Sequence, residues 1–189
     1  MTILHYYMDY KTYVEISDKF IGVIELFNTL IKNTPITKDL EVIMTKSIDD
    51  IKSDLANYKK KVCVNDGCEK TVSGRIDFLT ITIGTTKINM TSKISSNDEG
   101  FEDISKTIVD IFNLAIKSYN LDTFTQIVPV SMDELHGTVK INDLMAIDVS
   151  IHIPTPGMDE ETDENYYTTL WIEFNLDLYN DSALVSTSI

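Results

Sequence analysis

Only two cysteines, three histidines and seven glycines occur among the 189 residues, and that scarcity removes several chemistries at once. A structural zinc needs twice the ligands that Cys63 and Cys68 offer, and His5 or His136 would complete the set only if the fold brought them in. There is no glycine-rich phosphate loop, no HExxH pair and no catalytic-cysteine context. No apolar run approaches the roughly 20 residues that span a bilayer. The opening "MTILHYYMDY" has neither a basic start nor an apolar core. The expectation is therefore a chain that is not secreted and works in a host-cell cytoplasm or a virion, with the sequon at Asn89 unglycosylated.

Positive charge is also short. Sixteen Lys and Arg face thirty Asp and Glu, for a net charge of −14 and a pI near 4.4. Such a surface repels phosphate backbones and anionic membranes, so neither direct nucleic-acid binding nor membrane association is expected. It attracts a basic partner and speeds the encounter at low salt. Lys59, Lys60 and Lys61 do not alter this balance; at the end of a predicted helix they complement its dipole.

What is present suits one α+β domain over residues 1–189. The 43% hydrophobic content is that of a globular protein, and a chain of this length buries roughly two-thirds of its unfolded surface. Many Ile, Lys, Asn, Asp and Tyr codons are rich in A and T, which fits an AT-rich genome such as that of many viruses, phages and low-GC bacteria. The first part, residues 1–61, reads as an antiparallel helix pair. One helix is capped by Ser17 and places Phe20, Ile24, Phe27 and Ile31 on a stripe; the other is capped by Thr37 and carries Leu40, Met44, Ile48, Ile51 and Leu55. The period then falls to two. A hairpin is predicted around Asp66-Gly67, strands over "RIDFLTITIG" and "KINMTSKIS", and a helix over 101–119. Four further strands follow before a tail at 182–189. The whole pattern is ααβββαββββ, a mainly antiparallel sheet with helices on its apolar face.

Alternation is sharpest near the C-terminus. Met145, Ile147, Val149, Ile151 and Ile153 share one face, as do Leu170, Ile172, Phe174, Leu176 and Leu178. These segments predict one long antiparallel hairpin, covered on both broad sides, with an acidic tip at Asp159, Glu160, Glu161, Asp163 and Glu164. The tip is not a helix-flanked calcium loop: counting from Asp159, the sixth residue is Glu164 instead of Gly and the twelfth is Leu170 instead of Glu. Charge at a hairpin tip keeps a long ribbon soluble, or docks a partner.

The cysteine pair depends on register. A turn at Asp66-Gly67 leaves the sulfurs on a diagonal too long to bridge, whereas a turn at Asn65-Asp66 sets them face to face. The simpler expectation is two free thiols. Asp148, Ser150 and His152 share the polar side of one strand, as Glu173, Asn175 and Asp177 do on the next. Successive same-face residues stand about 6.5–7 Å apart, too far for a triad of short side chains. Asn175 occupies the lysine position of the strand-borne Glu-x-Lys pattern of metal nucleases. No catalytic residue, metal ligand or cofactor is expected.

Tyr167, Thr169, Trp171 and Tyr179 project away from the apolar side of the hairpin, and Tyr and Trp are enriched at interface hot spots. Together with Asp159, Glu160 and Glu161 they form the expected interface. The functional expectation is a non-enzymatic structural protein acting through protein–protein contacts, in a homo-oligomeric or virion-type assembly. The alternatives are an acidic inhibitor or immunity-type protein that blocks a basic enzyme, and a divergent metal enzyme using His152, Glu173 and Asp177.

Overall fold

Strict alternation of apolar side chains builds the sheet from its middle outward. A computed structural model describes residues 6–34, 40–70, 73–84, 98–131, 134–152 and 169–178. Strands β8 (Met145–His152) and β9 (Thr169–Leu178) pair antiparallel, with Ile147, Val149 and Ile151 opposite Leu176, Phe174 and Ile172, as their alternation predicts. β5 (Gly74–Gly84) pairs with the other side of β9, which makes β9 a central strand. Three more strands complete the sheet: β2 (Leu40–Ile43), β6 (Val128–Ser131) and β7 (Glu134–Lys140). The order is β2-β5-β9-β8-β7-β6, antiparallel throughout. The register shifts between Asp77 and Leu79, and both Phe78 and Leu79 are buried. The extra residue thus supplies a second side chain to the core. β6 lies at an edge, is exposed along its length, carries Pro129 and pairs irregularly between Pro129 and Ser131.

Two helices seat on the apolar face. α1 (Tyr10–Lys32) is capped by Asp9, whose carboxylate accepts from the Thr12 N–H at 2.7 Å; this bond also holds the Asp9 carboxyl below its usual pKa range. α3 spans Asp98–Ser118. Phe112 of α3 stacks on Phe174 of β9 with ring centres 4.3 Å apart, and Phe27 of α1 approaches both rings at 5.0 and 5.8 Å. Phe20 meets Phe78 edge to face at 5.1 Å. α1 also passes close to Tyr119, just beyond α3. A Cβ on Gly22 would sit 2.5 Å from the Tyr119 ring, so a larger residue there would have to push the ring aside. Asn113 clips the segment after α3 by donating to the Phe124 carbonyl at 3.0 Å and accepting from its N–H at 2.7 Å.

The α+β class and the mainly antiparallel sheet agree with the sequence; the N-terminal part differs in detail. α1 starts at Tyr10, not after Ser17, because Asp9 caps it and Tyr13 extends the buried stripe backward. The second predicted helix is two elements. Leu40–Ile43 forms β2, with Val42 opposite Ile81, and α2 (Ile48–Val62) begins only after Ser47, whose hydroxyl accepts from the Asp50 N–H at 3.1 Å. The β5 edge outcompetes helix propensity here, since "LEVI" offers apolar residues at both strand and helix spacing. The helices are therefore not a pair joined by a short loop. α2 reaches α1 through Tyr13, which rests against Tyr58 at 6.3 Å and donates to the Leu55 carbonyl at 3.1 Å. The strand predicted over "KINMTSKIS", Asn89 and the tail lie outside the described residues.

A second, small sheet closes the N-terminal end. β1 (Met8–Asp9) pairs with β4 (Gly67–Cys68), which pairs with β3 (Cys63–Val64). Asn65 takes φ 57°, a left-handed value that Asn tolerates, so the turn falls at Asn65-Asp66. Cys63 then lies opposite Cys68 and the two are disulfide-bonded, which corrects the expectation of two free thiols. The Tyr6 ring covers Gly67 so closely that any Cβ there would collide with it.

Two outcomes follow from these contacts. The disulfide closes the short Cys63–Cys68 hairpin, and reducing it should lower unfolding stability by about 2 kcal/mol, read as a shift in denaturant midpoint with and without reductant. Burial pushes Tyr58 up to about 12 and raises Tyr13 further, with Tyr58 beside it adding to the rise. Their contribution to stability is complete below the ordinary tyrosine value of 10.0 and is lost as pH rises toward 12, because the unfolded chain ionises first. Denaturation at stepped alkaline pH, beside a Tyr58→Phe variant that flattens the slope, measures this.

Candidate docking face of the sheet

The side of the sheet opposite the helices is formed by the polar halves of the same alternating strands. Register sorts them into rows. Asp77, Asn175, Asp148 and Thr138 align across β5, β9, β8 and β7; Thr80, Glu173, Ser150 and His136 form the next row, and Thr82, Trp171, His152 and Glu134 the one beyond. Arg75, Asp177, Ala146 and Lys140 make the row on the other side.

The first row holds two hydrogen-bonded groups, one across β7 and β8 and one across β5 and β9. The Thr138 hydroxyl donates to Asp148 Oδ1 at 2.6 Å, and His136 Nε2 stands 3.8 Å from that oxygen. Asn175 fits its neighbours with its nitrogen toward Asp77 Oδ1 at 2.7 Å and its oxygen toward the Arg75 guanidinium. Arg75 also contacts Asp77 at 3.1 Å and Asp177 at 3.9 Å. Asp148 and Asn175 are buried among these partners, which is tolerable only because their polar atoms are met.

At the other end the face is open. Trp171 is 46% exposed and its ring is met by His152 at 5.8 Å; His152 Nε2 lies 3.7 Å from Glu173 Oε2. The hairpin is covered by helices on its apolar side; on its other side Asp148 and Asn175 are buried while Trp171 is exposed at the end of the face. Across the face six carboxylates (Glu41, Asp77, Glu134, Asp148, Glu173, Asp177) outnumber Arg75 and Lys140.

The structure brings Asp148, Ser150 and His152 together with Glu173, Asn175 and Asp177 on one face, as the alternation predicts. It adds His136, Thr138, Arg75 and Asp77, which the sequence did not place with them. Thr169 opens β9 opposite Gly84. Tyr167, Tyr179, Asp159, Glu160 and Glu161 lie outside the described residues. Among the described residues no group of three or more His, Cys, Asp or Glu is placed to hold a metal ion, and no helix is long and apolar enough to cross a membrane. Concavities lie elsewhere: one of about 510 Å³ is lined by Tyr6, Tyr7, Asn65 and Asp66, one of about 370 Å³ by Val109, Phe124, Ile127 and Leu135, and one of about 250 Å³ by Tyr13, Ser17, Lys52 and Leu55. The polar face itself is a broad strand surface, a shape that suits another protein better than a small molecule.

Comparison with known proteins assigns no family: no family model, no curated protein and no solved structure matches the chain.

Removing the donor of the buried carboxylate tests the group across β7 and β8. Thr138→Val should cost about 1–3 kcal/mol in chemical denaturation, because Asp148 stays buried with less satisfaction. Adding Asp148→Asn to that variant should recover part of the loss, since an amide tolerates burial better than a charge.

Proposed function

We propose that this chain is a non-enzymatic assembly protein, a subunit that docks protein neighbours on the polar face of its six-stranded sheet within a homo-oligomeric or virion-type structure. The observation that supports this most is Trp171, the chain's one tryptophan, held half-exposed on a flat, hydrogen-bonded, acidic surface. An isolated chain leaves an aromatic of that size wet at a cost, and covering it with a neighbour recovers the burial. The helices fill the other face, so docking and folding use different sides of the same strands.

The test is the mass, by light scattering, of the tagged chain recovered under mild conditions from its native source. The expected result is a species heavier than the monomer, made of further copies or of other chains. Trp171→Ala should weaken it about thirtyfold, the effect of losing a hot-spot residue worth about 2 kcal/mol. A wild type found only as monomer, or an assembly indifferent to Trp171→Ala, rejects the proposal.

A further inference from the structure

One end of the polar face already holds a guanidinium. Arg75, the single arginine among sixteen cationic residues, lies against Asp77, Asp177 and the Asn175 oxygen. The other end has a carboxylate beside the indole and no such cation. Glu173 stands two residues from Trp171 on β9, hence on the same side and about 7 Å along the strand, with Thr80 and Thr82 directly opposite on β5. Among the described residues no lysine or arginine pairs with Glu173; its nearest basic group is the imidazole of His152.

We infer that the neighbour docked at Trp171 presents an arginine, whose guanidinium lies on the indole and is gripped by Glu173. This rests on the docking proposal above and names the chemistry of the partner. Three observations converge on it. The face carries an excess of carboxylates on a chain of net charge −14, so the complementary surface is basic. An exposed indole beside a carboxylate favours a planar, weakly hydrated cation that stacks and donates in a fork, which is arginine and not lysine. The chain's own arginine is already paired with Asp77 and Asp177, so a second copy would have to break those contacts to offer it. The neighbour at this position is therefore a different protein, with a basic segment laid across the strands.

Because Trp171 is the sole tryptophan, its emission reads this position directly. The full-length chain is titrated with a short capped Arg-Gly repeat peptide and with the Lys-Gly peptide of equal charge. Binding is followed by Trp171 fluorescence and by the anisotropy of a dye on the peptide. The arginine peptide should change Trp171 emission and bind about tenfold more tightly than the lysine peptide. Glu173→Gln should weaken it about tenfold, whereas Glu25→Gln, the same charge loss on the exposed side of α1, should leave it unchanged. Trp171→Ala, followed by anisotropy, should weaken it to the level of the lysine peptide. Equal affinity for the two peptides, equal effects of the two glutamate variants, or binding with no response from Trp171 would each overturn the arginine site. If any of these occurs while the native assembly still depends on Trp171, docking stands and the arginine does not.

Discussion

The stack of Phe174 on Phe112, with Phe27 and Phe78 packed around it, is the contact on which the rest of the molecule depends. It joins the central strand to both sheet-covering helices at one point. Large rings bury more apolar area per residue than any aliphatic side chain, and their offset and edge-on geometries add to that burial. β9 is central because it is apolar on one side without a break from Ile172 to Leu178. β8 matches that side position by position, and β5 does so apart from the shift at Asp77–Leu79 and Gly74 opposite Leu178. Once the helices occupy that side, the polar half of every strand is committed to the other. The acidic face is thus the geometric complement of the core, formed by the same alternation.

That alternation is also the reason the C-terminal sheet is legible in the sequence. In β8 and β9 a two-residue period persists long enough that no helix could satisfy it. The N-terminal region offers no such persistence. Leu40 and Met44 are four apart, as on a helix, while Leu40 and Val42 are two apart, as on a strand; only the presence of the β5 edge decides between them. Asp9 escapes notice as a cap because it follows tyrosines instead of a loop signal. Asn65-Asp66 and Asp66-Gly67 are both good turn pairs, and tertiary pairing with Met8 and Asp9 of β1 accompanies the one that brings the cysteines together.

The candidate site was half visible. Polar residues on one strand are readable as a set, so Asp148, Ser150 and His152 emerge together, as do Glu173, Asn175 and Asp177. Which strand lies beside which is a matter of long-range register, and no local pattern encodes it. His136 and Thr138 therefore gave no signal of their own, although "ELHGTVK" alternates. Arg75 and Asp77 stand at the start of a strand with no local pattern to mark them. A lone arginine in a chain otherwise supplied with lysine was the clue that composition did contain.

Pro129 has a consequence for the border of the sheet. The outermost strand beyond β7 is only Val128–Ser131, kinked in its pairing and missing one amide donor. A further strand added there would find a gap in its ladder, so continuation of the sheet sideways into a ribbon is discouraged at that border. Contact on the broad faces of the sheet does not meet that gap.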